Sequence, residues 1–144
     1  MRLHHLPLRL ATGAFILHTG LDKWQASDER AEQLRGFAAG TYPFLDRIPS
    51  QRFGKLLAGG EIALGAALLL PLVPAGLAGA ALTAFSGGLL GLYLKTPGMH
   101  EPGSLRPTQE GTPLAKDVWM AGIGAALVLE ALTRRRAKDR GSEA

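Results

Sequence analysis

Residues 62–94, IALGAALLLPLVPAGLAGAALTAFSGGLLGLYL, form a run of 33 without one Asp, Glu, Lys, Arg or His. A bilayer core takes about 20 apolar residues per helix, so one straight helix of this length would overshoot it. Pro71 and Pro74 divide the run, because each removes a backbone donor and crowds the preceding turn. The stretch therefore reads as two helices joined at PLVP. Counting back from the turn starts the first near Phe53, giving a span over residues 53–72 with Glu61 inside it. The second covers 75–94 and ends on Tyr93 and Lys95, an aromatic ring and an ammonium suited to the headgroup level.

Two further apolar stretches flank this hairpin. Residues 6–24 close on Lys23 and Trp24, and residues 114–133 open through Lys116, Asp117 and Trp119. The expected fold is all-α: an integral membrane four-helix bundle in up-down order, one domain over residues 1–133, with a basic cytoplasmic tail over 134–144. Basic residues ahead of a short apolar core give the first span the look of a secretory signal, but no small-x-small site follows it, and a retained helix is expected.

The first connection carries a helix of its own. Ser27 caps it, Asp28 and Glu29 occupy its first turn, Gly40 ends it, and Ala31, Leu34, Phe37 and Ala38 share a face. This reads as a short interfacial helix between the first two spans, followed by Tyr42 and Phe44 at headgroup level. The second connection, residues 95–116, holds four Pro and three Gly and reads as an irregular loop. Glycines within the spans (Gly59, Gly60, Gly65, Gly87, Gly88, Gly91, Gly122, Gly124) indicate close helix packing, with Gly87 and Gly91 in GxxxG spacing. No internal repeat is evident.

Orientation follows from basic residues beside the spans. Arg2, Arg9, Arg134, Arg135, Arg136, Lys138 and Arg140 lie on the side of the termini, and nine others lie on the loop side. The loop-side residues are dispersed, whereas RRRAKDR abuts the last span, where it binds anionic lipid and stops transfer. Both termini are therefore expected in the cytoplasm, with the chain multi-pass in the inner (plasma) membrane.

Composition narrows the chemistry. Apolar residues make up 47% of the chain and charged ones 19%, with 19 Gly, a departure from soluble averages toward lipid. The absence of cysteine rules out thiol exchange, disulfides and thiolate metal ligation by this polypeptide. The net charge of +4 comes without stacking aromatics or a recognition motif, so nucleic acid is not the expected partner. No nucleophile motif or phosphate-binding glycine loop is present, so intrinsic catalysis is not expected.

The ionisable residues inside the spans are the candidate site. With Lys23 and Lys55 marking one membrane surface, His18 lies five residues inward and Glu61 six, roughly 7 to 9 Å at the helical rise. Asp22 is four residues from His18. His18, Asp22, Lys23 and Glu61 thus form an expected ligand or proton site for a small molecule, quinone or lipid, against the alternative of a strut that fixes helix register. A metal is not expected, because His18 is the lone imidazole within a span. Near the opposite surface Arg9 and Glu130 are expected to form a structural ion pair.

These residues resemble the DoxX family of small four-helix bacterial membrane proteins. RLATGAFILHTGLDKW is similar to that family's first helix, LLAGGEIALGAALLLP to its second, and AAGTYPFL, YLKTPGM and LRPTQEGTPLAKDVWM to an actinobacterial branch. The resemblance implies an accessory, non-catalytic subunit of a membrane redox or quinone-linked complex, with membrane lipids and a membrane protein as partners. Two other readings remain: a small-molecule or lipid binding or transport protein gated by Glu61, and a scaffold for other membrane proteins.

Overall fold

The computed structural model describes the backbone of residues 5–142 and the side chains through residue 134. Among the described residues the structure is helical, with one isolated bridge between His100 and Pro107. Helix α1 is Leu6–Trp24, α2 Asp28–Thr41, α3 Ser50–Leu69, α4 Ala75–Lys95, α5 Thr112–Ala115 and α6 Val118–Ser142; a 3-10 turn at Pro43–Arg47 links α2 to α3. The ends of α1 fall where the sequence places them, with Pro7 in the first turn, where a missing donor does no harm. Helix α3 is shifted toward the N-terminus relative to the expected span over 53–72: it starts at Ser50 after Pro49, and its C-cap Leu70 is extended because Pro71 follows. The last long helix starts later than the span expected over 114–133. Residues 112–115 form a separate turn of helix, and α6 continues past 133 to Ser142 because RRRAKDR consists largely of good helix formers. Arg2 and the side chains of Arg135, Arg136, Lys138 and Arg140, five of the seven basic residues that set the expected orientation, lie outside the described residues.

Helix α1 packs chiefly on α3, and α4 on α6. Both seams bring backbone against backbone. A methyl added at Gly65 would stand 2.6 Å from the Leu17 nitrogen, and one at Gly20 would stand 2.8 Å from the Ile62 nitrogen. In the other pair, a methyl at Gly79 would lie 2.7 Å from the Gly124 carbonyl. Ile16, Leu64, Leu68, Ala78, Leu82 and Leu127 join the two pairs in one core. The expected GxxxG contact through Gly87 and Gly91 is not made: Gly87 faces open space and Gly91 meets the Tyr42 side chain.

One end of the bundle is covered. Ser27 caps α2 by accepting from Arg30 N–H, and Ala31, Ala38 and Ala39 form its buried strip. The helix passes Gly40 to end at Thr41, and Phe37 stays partly exposed. Tyr42 is half-buried: its hydroxyl donates to the Gly88 carbonyl of α4 at 2.9 Å, while Phe44 remains exposed. Tyr93 is buried, and its hydroxyl donates to the Leu105 carbonyl at 2.8 Å. That bond ties the second connection to α4. This loop is folded rather than irregular throughout: Glu101 N–H donates to Arg106 O at 2.9 Å, Thr108 N–H donates to Met99 O at 3.1 Å, and Gly98 and Gly103 supply the positive φ its turns need.

Among the described residues α4 alone is long and apolar enough to cross a membrane. About a third of its most apolar window is buried within the protein, and the rest is half-buried or exposed.

Candidate functional site

Glu61 occupies the α1–α3 seam and is 4% exposed. The close approach of Gly20 to Glu61 and Ile62 brings the two backbones together there, so the carboxylate has α1 directly opposite it. Lys23 Nζ donates to Glu61 Oε2 at 2.8 Å, and Thr19 Oγ1 lies 3.2 Å from the same oxygen while also reaching the Ile16 carbonyl at 3.0 Å. Thr19 and Lys23 are one helical turn apart and share a face. The seam thus holds a carboxylate, an ammonium and a hydroxyl in one neutralised cluster. A carboxylate placed among apolar helices is expensive unless it is paired in this way.

The other two residues of the expected site are elsewhere. His18 and Asp22 contact each other, Nε2 to Oδ2 at 3.4 Å, with side chains 73% and 67% exposed. Their pairing follows the i,i+4 spacing, but they point away from α3, and Glu61 belongs with Thr19 and Lys23 instead. Thr19 was not among the residues singled out in the sequence, although its position one turn before Lys23 carried the signal. Among the described residues no three His, Asp or Glu side chains converge as metal ligands would.

Lys23 also opens onto a cleft of about 570 Å³ at the covered end, between the end of α1 and the starts of α2 and α3. Trp24, Arg52 and Lys55 line it with Lys23. Lys55 donates to the Trp24 carbonyl and sits 4.8 Å from the centre of its ring. Three cations, Asp28 and Gln51 make up its polar positions, so cations predominate, and the rest of the wall is apolar.

At the other end Arg9 is 1% exposed, and its partners differ from those expected. Its guanidinium donates to the carbonyls of Leu68 (2.7 Å), Ala67 (2.9 Å), Leu70 (2.8 Å) and Val73 (3.1 Å). The anticipated Arg9–Glu130 pair is not formed; Glu130 contacts His5. The reason is geometric. Carbonyls at the end of a helix lack intrahelical donors and carry the negative end of its dipole, and Pro71 and Pro74 supply no N–H to them, so a fork of donors from α1 closes the turn.

Outside the bundle, Arg35 donates from Nη1 to Asp46 Oδ1 and from Nη2 to Glu32 Oε1, each at 2.7 Å, holding the 3-10 turn against α2. Asp117, at the entry to α6, is buried, and that burial raises its carboxyl to about 6 against a small opposing effect of Lys116. Neither Arg35 nor Asp117 was singled out as a site residue. Compared with family models, curated proteins and solved structures, the chain matches none.

Proposed function

We propose that the chain is a four-span protein of the inner membrane, with α1, α3, α4 and the first part of α6 crossing the bilayer and both termini in the cytoplasm. It serves there as an accessory, non-catalytic subunit of a redox or quinone-linked complex. The observation that carries this reading is the distribution of polarity. Arg9 and Glu61 are turned inward with their partners in place, while Phe15, Leu77, Leu129 and Leu132 are turned outward on three helices. Such an arrangement suits hydrocarbon as solvent, where charges are kept within the bundle. His18 and Asp22, the outward exception, lie within about 9 Å of the end of α1, where the headgroups begin.

The accessory role is supported by closure. Both helix seams are in backbone contact, and the Glu61 oxygen nearest α1 is already shared by Lys23 and Thr19. A chain without cysteine depends on a cofactor or another polypeptide for electron transfer. The covered end, with α2, the 3-10 turn and the 95–116 connection anchored by Tyr42 and Tyr93, offers a fixed surface to a partner. The resemblance of the α1 and α3 sequences to the DoxX family supports the same role. Purification from native membranes in mild detergent tests it: a redox protein or bound quinone is expected to accompany the chain through successive columns, and repeated recovery of a lone, cofactor-free protein contradicts it.

A further inference from the structure

We propose that the cleft between α1, α2 and α3 is a binding site for the phosphate headgroup of an anionic phospholipid. The inference rests on the membrane reading above and adds a ligand to it. Three cations line the cleft, and they differ in how far they are already engaged. Lys23 is neutralised by Glu61. Lys55 is steadied by the carbonyl and ring of Trp24. Arg52, exposed in the first turn of α3, makes no hydrogen bond or ion pair among the described residues, so its fork of donors is open to an anion. Asp28, the one carboxylate lining the cleft, is itself held by Gln51 at 2.8 Å.

The remaining wall is apolar. Gly54 lies against Ala31 where α2 and α3 meet, with a built methyl 3.0 Å from the Ala31 Cβ, and Leu56 and Ala26 complete that side. A free phosphate gains nothing from such a wall, whereas a headgroup with its glycerol and first methylenes uses cations and wall together. The volume of about 570 Å³ lies in the range of small-molecule sites, large enough for that part of a lipid while the acyl chains remain in the bilayer. Trp24 and two lysines at the mouth are the residue types that mark headgroup depth.

The chain has two tryptophans, so Trp119→Phe leaves Trp24 as the single emitter in the cleft wall. The W119F protein is placed in phosphatidylcholine nanodiscs containing increasing fractions of phosphatidylglycerol, with bromine on the acyl chains of one lipid or the other. Brominated phosphatidylglycerol is expected to quench Trp24 saturably at a low mole fraction, and Arg52→Gln is expected to raise the half-saturating fraction about fivefold, the effect of one basic residue at an anionic surface. Quenching by brominated phosphatidylcholine should be the same with and without R52Q. Equal quenching by the two lipids, an unchanged curve in R52Q, or relief of quenching by inorganic phosphate would each overturn the assignment while leaving the membrane reading in place. Failure of both brominated lipids to quench Trp24 would instead remove the membrane reading on which the site rests.

Discussion

Arg9 on α1 donates from Nε to the Leu68 carbonyl on α3 at 2.7 Å, and its two other nitrogens reach three more carbonyls around the Pro71–Pro74 turn. A charge drawn into a buried position is thereby spread over backbone acceptors, of which the turn itself reaches only the Leu70 carbonyl, from Val73 N–H at 3.3 Å. Arg9→Met should lower stability by about 3 kcal/mol or more, because it leaves several carbonyls without donors. Arg9→Lys should recover less than half of that, since an ammonium lacks the planar fork. Thermal unfolding in detergent measures both; equal stability of R9M and the parent would refute the capping role.

The Lys23–Glu61 pair is expected to act as a strut. Glu61→Gln should destabilise the fold by about 2 kcal/mol, the usual worth of a charged hydrogen bond. In a double-mutant cycle with Lys23→Met the two losses should be strongly non-additive. Additive losses would show that the pair does not couple α1 to α3.

Gly65 and Gly87 separate close packing from mere glycine content. Gly65→Leu should destabilise by at least about 1 to 3 kcal/mol, because its Cβ meets the α1 backbone. Gly87→Leu, with open space before it, should leave the melting temperature unchanged or raise it. Equal effects of the two substitutions would contradict the seam.

Asp117 predicts a pH effect. Its folded-state pKa of about 6 lies above the ordinary 3.8, so its protonated form is favoured by folding. The associated stability is fully present below about pH 4 and is lost as pH rises through about 6. Asp117→Asn should therefore flatten the dependence of the melting temperature on pH between about 4 and 6 and raise it at pH 8. A parent-like profile in D117N would place the titration elsewhere.

Much of the architecture was legible in residue order. The uncharged run split by two prolines located the α3–α4 turn, and Ser27 followed by Asp28 and Glu29 located the start of α2. Depth was only roughly legible: counting from Lys23 and Lys55 put His18 and Glu61 at one level, whereas the contacts of Gly20 with Ile62 and of Gly65 with Leu17 set Glu61 opposite Leu21, roughly 4 to 5 Å along the seam from His18. Azimuth was not. At roughly 100° per residue, His18 and Lys23 are about 140° apart around α1, so only one of them can face Glu61, and the glycine at position 20 decides which. The partners of Arg9 were hidden for a different reason. A search for opposite charge finds Glu130, but carbonyl acceptors leave no trace in side-chain identity. The apolar hairpin set the fold class, while the exposed flanks of the other helices carry too many ionisable residues for composition alone to assign them to lipid.

The central claim, that hydrocarbon surrounds the helices, is tested most directly at their outward midpoints. Ala14, Ala63, Ala84 and Ala126 are exposed positions on α1, α3, α4 and α6, and the cysteine-free chain allows each to be replaced by a single spin-labelled cysteine. In liposomes all four labels are predicted to collide with oxygen and to be shielded from a water-soluble nickel chelate, with a label at exposed Phe44 showing the reverse. Ready access of the nickel chelate to the four midpoints would contradict the account.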